Sequence, residues 1–174
     1  MVSREDELAG LYATHARRAR ALAYLLTGDQ ALSEDLVQDC FLRLCSRVRP
    51  VSQELLPAYL RTMVINACRS HFRRLAVRRR RAAAEADVLG SDRDVSPDGT
   101  SAVPERERLR RALMELPIRQ RTAVVLRHWL ELTEQETAAQ MGCSVGTVKS
   151  LASHGRAALR TRLTAMDVEE MWSR

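Results

Sequence analysis

Apolar residues recur along this chain at three- and four-residue spacing with polar residues between them, and no strand-like alternation of period two persists. Leu8, Leu11, Tyr12, His15, Ala19, Leu22 and Leu26 form one stripe, stopped by Thr27-Gly28-Asp29. A second runs through Val37, Cys40, Phe41, Leu44, Cys45 and Val48 and stops before Pro50. A third helix is expected from about Leu56 to Arg80, with Leu56, Leu60, Met63, Ala67 and Leu75 toward the core. Three helices of this length can share one hydrophobic core.

Residues 82–104 break the pattern. AAAEADVLGSDRDVSPDGTSAVP is rich in Asp, Ser, Gly and Pro, and its later part holds too few apolar residues to pack. A structureless loop this long is out of place inside one compact domain, so it is expected to be a linker. Helical spacing resumes near Glu105 with Leu109, Ala112, Leu113 and Leu116. Pro117 then opens a helix through Val124, Val125 and Leu130. The last residues, TAMDVEEMWSR, can either extend the final helix or fray. The fold class that follows is all-α: two small helical domains joined by a flexible acidic linker.

The most informative stretch is TEQETAAQMGCSVGTVKSL, residues 133–151, which reads as a helix-turn-helix. Thr133 is a good N-cap, and Glu136 three residues later can complete a capping box. Ala138 is small where two helices must approach closely. Gly142 falls where the first helix must end in a left-handed conformation. Ser144 can cap a second helix whose Val145, Val148 and Leu151 pack on the first. Lys149, Ser150, Ser153, His154 and Arg156 are then left pointing outward, and these side-chain types reach phosphates and base edges. A generic helical hairpin would also use Gly142 as a C-cap and leave Lys149 solvated. It does not explain why a capped tight turn sits in so basic a chain.

Length and charge sharpen this picture. The 174 residues suit one large domain or two small ones. A net charge of +6 favours a polyanionic partner, with an anionic membrane surface as the alternative. No apolar run approaches the roughly 18–20 residues of a spanning helix, and MVSREDELAG lacks a signal-peptide core, so a cytoplasmic location without a membrane role is expected. Arg69, Arg73, Arg74, Arg78, Arg79, Arg80 and Arg81 crowd thirteen residues, where they repel one another unless an anion is present. Lys149 is the single lysine among 28 Lys and Arg, a skew from which no function follows. Cys40, Cys45, Cys68 and Cys143 show no CxxC pair and no His at zinc spacing, so buried reduced thiols are expected, with no metal and no cofactor.

Three segments resemble the extracytoplasmic-function group of bacterial RNA polymerase sigma factors. DQALSEDLVQDCFLRL looks like that family's helix for binding the polymerase clamp. AYLRTMVINACRSHFRR looks like its segment for promoter melting and minus-ten recognition, and ELPIRQRTAVVLRHWLELTEQETAAQMGCSVGTVKS like its fourth region, which reads the minus-thirty-five element. The resemblance covers residues 8–81 and 105–163 in the family's order. It implies a region 2 domain over 1–81, a linker over 82–104, a region 4 domain over 105–165 and a C-terminal tail over 166–174. The protein would then be a sigma factor, with core RNA polymerase and promoter DNA as partners and no catalytic site of its own. The resemblance admits an anti-sigma factor as a further partner.

By that resemblance Asp35, Gln38 and Asp39 contact the coiled-coil clamp of the polymerase, and their position off the Val37-Cys40-Phe41-Leu44 stripe agrees. Tyr59 and Asn66 match positions that engage the melted non-template strand, where an aromatic can stack on an unpaired base and an amide can bond its edge. Arg69, Arg73 and Arg74 would hold adjacent phosphates. Thr147, Lys149, Ser150, Ser153, His154 and Arg156 fall to the minus-thirty-five element. Two departures stand out. Leu151 and Ala152 follow GTVKS where the family often carries an arginine, and Ser153-His154-Gly155-Arg156 replaces a more basic run. Fewer charged contacts are therefore expected there, and Gly155 is expected to weaken the helix by about 1 kcal/mol relative to alanine.

Two rival readings have different signatures. A free-standing helix-turn-helix repressor or activator would bind duplex DNA alone, usually as a dimer, but leaves DLVQD and the arginine cluster idle. An enzyme acting on nucleic acid would need paired carboxylates, a metal cluster or a phosphate-binding glycine loop, and none is legible.

Overall fold

The computed structural model describes residues 4–46, 51–52, 54–85 and 104–172. Among these the chain is all-helical, as the apolar spacing predicts: α1 is Arg4–Thr27, α2 Gln30–Cys45, α3 Leu56–Glu85, α4 Pro104–Met114, α5 Ile118–Val124, α6 Glu134–Met141 and α7 Val145–Trp172. A π-helical turn, Val125–Trp129, continues α5. The greater part of the expected linker, the side chain of Leu8 and residue Val48 lie outside the described residues. The final helix continues through Trp172, which answers the question left open for TAMDVEEMWSR.

Helices α1 to α3 form the first half. Thr27-Gly28-Asp29 turns the chain, with Gly28 at φ +72° and the Asp29 side chain accepting from the Leu32 amide at 2.9 Å to start α2. Leu22, Ala23, Leu26, Val37, Cys40, Val64 and Ile65 fill the core, and Tyr12 meets Phe41 edge-on with ring centroids 4.9 Å apart. Each large aliphatic side chain buried this way contributes roughly 1.5–3 kcal/mol.

The buried face of α3 differs from the expected one. The buried residues of α3 are Leu56, Leu60, Val64, Ile65 and Cys68; Met63, Ala67 and Leu75 are only half-buried. The buried stripe is rotated because α3 has a second neighbour: the other half of the chain packs on it through α5 and α6. A periodicity read within one helix cannot register that.

Helices α4 to α7 form the second half around Leu113, Leu116, Val124, Leu126, Met141 and Val148. Leu109, expected on the apolar stripe of α4, is exposed. Gly155, expected to weaken α7, lies where α7 crosses α5 closely. A Cβ built there would meet Val124 Cγ2 at 2.7 Å and the Gln120 carbonyl at 3.2 Å. Its loss of helix propensity is offset by an approach that no other residue permits.

The two halves meet along a seam between α1 and α3 on one side and α4, α5 and α6 on the other. Arg121 of α5 sits at its centre, 5 % exposed, and donates from Nη1 to the Leu26 carbonyl at the end of α1. Its Nη2 donates to the carbonyls of Met114 at 2.7 Å and Leu116 at 3.0 Å, and the guanidinium carbon stands 5.4 Å from the Phe72 ring centroid of α3. Desolvation lowers its pKa to about 10, which leaves it charged at neutral pH. Arg110 donates to the Gly28 carbonyl at 3.1 Å. Farther along, Thr62 Oγ1 lies 2.9 Å from Gln140 Oε1, and Arg69 donates to the Met141 carbonyl at 3.2 Å.

Candidate nucleic-acid and partner-binding surfaces

The helix-turn-helix forms through the local chemistry legible in its residues. Thr133 accepts from the Glu136 amide at 3.2 Å, and Glu136 accepts in return from the Thr133 amide at 2.7 Å, closing the capping box. The Thr133 hydroxyl, 2.7 Å from Glu136 Oε2, and after it the Thr133 amide hold the Glu136 carboxyl below the usual carboxylate range. Gly142 ends α6 at φ +61° and ψ +47°, and Ser144 accepts from the Thr147 amide at 3.2 Å to begin α7. Ala138, Met141 and Val148 are buried where α6 meets α7, while Cys143 is half-buried in the turn.

This geometry leaves Lys149, Ser150, Ser153, His154 and Arg156 exposed on α7. They lie on two adjacent strips. Lys149, Ser153 and Arg156 line a groove of about 160 Å³ together with Arg127, His128, Glu134, Val148 and Ala152. Ser150 and His154 run beside it, with Ser150 Oγ and His154 Nδ1 3.4 Å apart. Thr147 lies on the same outer side near the start of α7, its hydroxyl 2.9 Å from that of Ser144.

Arg127 and His128 are groove residues that sequence reasoning missed. They reach it because the π-helical turn, closed by the Leu130 amide on the Val125 carbonyl at 3.1 Å, widens the end of α5. Desolvation holds the His128 pKa below its ordinary value, and the positive charges of Arg156 and Arg127 push the same way. The groove carries three cations, Arg127, Lys149 and Arg156, against one carboxylate, Glu134, so its net charge is positive and suits an anionic ligand.

On the first half, Asp35, Gln38 and Asp39 are all exposed on α2. Leu42, one turn further on, is 67 % exposed and extends the same face with an apolar side chain. A larger groove of about 330 Å³ runs between α2 and α3. Asn66, Arg73 and Arg74 line it with Asp39, Arg43, Met63 and Ser70, of which the last three were not anticipated. The remaining two expected side chains are elsewhere: Tyr59 is half-buried outside this groove, and Arg69 faces α6, donating to the Met141 carbonyl.

The thiols follow burial. Desolvation pushes Cys40 up to about 11 and Cys68 up to about 12, and both are buried; Cys45 and Cys143 are half-buried, and none of the four is in a disulfide. Among the described residues no three His, Cys, Asp or Glu side chains gather as a metal site, and no helix is long and apolar enough to cross a membrane.

Comparison with known proteins bears on both halves. Residues 11–79 match the family model for sigma-70 region 2, and residues 106–159 that for sigma-70 region 4. The chain is 35 % identical over 154 residues to the ECF RNA polymerase sigma factor EcfG of Rhodopseudomonas palustris, covering 87 % of this chain and 82 % of that protein. It is 34 % identical over 145 residues to the RNA polymerase sigma-E factor of Streptomyces coelicolor, covering 83 % and 78 %. In fold it resembles the sigma factor RpoE of Bartonella quintana, solved in complex with the anti-sigma factor NepR. That TM-score is 0.64 at 23 % identity, over 91 % of this chain and 97 % of that one.

Proposed function

Because the chain belongs to the ECF group of the sigma-70 family and so acts in promoter-specific transcription initiation through RNA polymerase, we propose that its two halves divide promoter recognition between them. Residues 1–81 serve as region 2, binding core polymerase and the minus-ten element. Residues 105–165 serve as region 4, reading the minus-thirty-five element, with 82–104 as the tether and 166–174 as a tail. The protein is an initiation factor. Polymerisation belongs to the core enzyme, and melting proceeds by capture of bases as they unpair.

The observation that carries this reading is the α7 face. A capped helix-turn-helix presents Lys149, Ser153 and Arg156 along one groove, with Thr147, Ser150 and His154 beside it. That array suits a major-groove helix flanked by phosphate contacts. In the first half, the groove holding Asn66, Arg73 and Arg74 offers an amide for an unpaired base edge and two guanidinium groups for the adjoining phosphates. Tyr59 and Arg69 are assigned to the same minus-ten surface, Arg69 once it is free of the Met141 carbonyl of α6. Asp35, Gln38 and Asp39, with no core role to explain them, are the polymerase-docking face. An anti-sigma factor, such as accompanies the Bartonella quintana neighbour, is a further partner, and the cytoplasm is the expected location.

Run-off transcription with core polymerase on a genomic promoter library tests this. Transcripts from a restricted promoter set sharing minus-ten and minus-thirty-five sequences are expected. Initiation without enrichment of either element would contradict the division.

A further inference from the structure

On α1, His15, Arg18, Ala19 and Leu22 follow the i, i+3, i+4, i+7 spacing of a single face, and on α3 Pro57, Leu60 and Arg61 follow i, i+3, i+4. Together with Leu130 they line a cavity of about 280 Å³. Leu130 stands between the π-helical turn and Glu131, whose φ of +54° is a left-handed conformation costly for a residue with a Cβ. Ala19, Leu22 and Leu60 are buried and make an aliphatic floor, whereas Arg18 is exposed and His15 and Arg61 are half-buried. The cavity thus sets basic groups beside an apolar surface.

Those basic groups have no anion of their own. No carboxylate lines the cavity, and no ion pair among the described residues includes His15, Arg18 or Arg61. Arg61 Nε is buried without a hydrogen-bond partner, a cost that a bound acceptor would remove. Glu136 lies close enough to feel the charge of Arg61, but its Oε2 is already taken by the Thr133 hydroxyl and amide, each at 2.7 Å. Size and lining then decide among anions. A cavity of about 150 Å³ encloses a benzene ring, so this one takes roughly ten non-hydrogen atoms. That is too little for a nucleic-acid strand, and an aliphatic floor offers a phosphodiester backbone no partner. An inorganic anion would leave the floor uncovered. A carboxylate on a short hydrocarbon chain answers both surfaces.

We propose that this cavity binds a small organic acid, a carboxylate of about eight carbons, with Arg61 and Arg18 on the carboxylate and Leu22, Leu60 and Leu130 along the chain. The guanidinium groups supply charge-assisted hydrogen bonds, and the hydrocarbon displaces water from the floor. None of the residues assigned above to polymerase or to DNA lines it. The site therefore adds a small-molecule ligand to the protein's macromolecular partners.

Titration calorimetry of the full chain with octanoate tests this, with octanol, acetate and octylamine as controls for charge and chain. Octanoate should bind at one equivalent and about tenfold or more tighter than octanol or acetate, and octylamine should not bind. Arg61→Met should weaken octanoate about tenfold or more while leaving octanol within about twofold. Should that variant lose helicity by circular dichroism, Arg18→Gln, at an exposed position, should weaken octanoate in the same direction. The four histidines report where the ligand sits. The ring-proton resonances of His15, assigned with His15→Gln, should move on titration while those of His128 and His154 stay. Absent or multiple octanoate binding, octanol or acetate binding as tightly, capture of octylamine, or unchanged affinity in the folded arginine variants would each overturn the site. Shifts at His128 or His154 in place of His15 would overturn it as well, by placing the anion on α7.

Discussion

Glu134 of α6 and Lys149 of α7 stand 3.4 Å apart across the helix-turn-helix, so the chain's single lysine is ion-paired before DNA arrives. Both side chains are well exposed, and such a pair holds at most about 1 kcal/mol. Glu134→Gln should therefore tighten duplex binding no more than roughly fivefold, by removing a competitor and a negative charge from the groove. Gel-shift titration at low salt measures it. Weaker binding by this variant would mean that Glu134 positions Lys149 instead of competing for it.

Gly155→Ala should destabilise the second half, although alanine is the better helix former. The added methyl meets Val124 and the Gln120 carbonyl at distances that force α7 away from α5. A cost of about 1–3 kcal/mol is expected for this overpacking, visible as a lower midpoint in urea unfolding. An unchanged or raised midpoint would show that the crossing has slack.

Duplex binding is expected to depend on pH through His128. Its pKa is lowered in the free protein by desolvation and by Arg156 and Arg127, so it is neutral near pH 7. Acidification from above its ordinary value toward its depressed one costs folding stability, because the unfolded chain takes the proton first. With a phosphate in the groove the sign reverses for binding, since the charged ring gains an anion beside Lys149 and Arg156 and opposite Glu134. Affinity for minus-thirty-five duplex should rise as pH falls below about 6.5. His128→Gln should flatten that rise. Full pH dependence in His128→Gln would remove His128 from the contact.

Replacing Asp35, Gln38 and Asp39 together with alanine should abolish capture by core polymerase, with helix content nearly unchanged because all three are exposed. Leu42→Ser should weaken capture as well, since it deletes an exposed apolar anchor on the same face. Circular dichroism and a pull-down with core enzyme separate binding from folding. Normal capture by the triple variant would move the docking face elsewhere.

The features legible in the sequence were those built by neighbours in the chain. The Thr133–Glu136 capping box, the left-handed Gly142 and the Ser144 cap each depend on residues within four positions, and each is as expected. What escaped was tertiary. The buried face of α3 turned from Met63 and Leu75 to Val64, Ile65 and Cys68 because the second half covers it. The burial of Arg121 is tertiary as well, since its carbonyl cage is assembled from the end of α1, the end of α4 and the turn that follows it. Gly155 reads as a weakness until α5 crosses it. Arg127 and His128 enter the groove only through a π-helical turn whose register nothing in VLRHW announces. The residues expected at the minus-ten element divide for the same reason: Asn66, Arg73 and Arg74 share a groove, whereas Arg69 meets α6.

Permanganate footprinting alongside gel shifts, on the complex with core polymerase, tests the division of promoter recognition most directly. Asn66→Ala should bind the promoter duplex nearly normally but leave minus-ten thymines unreactive, because its partner is a base exposed only on melting. Lys149→Ala should do the reverse, weakening duplex capture and lowering the salt slope by about one while whatever complex forms still melts. Normal permanganate reactivity with Asn66→Ala, or undiminished duplex capture with Lys149→Ala, would contradict the assignment of that surface.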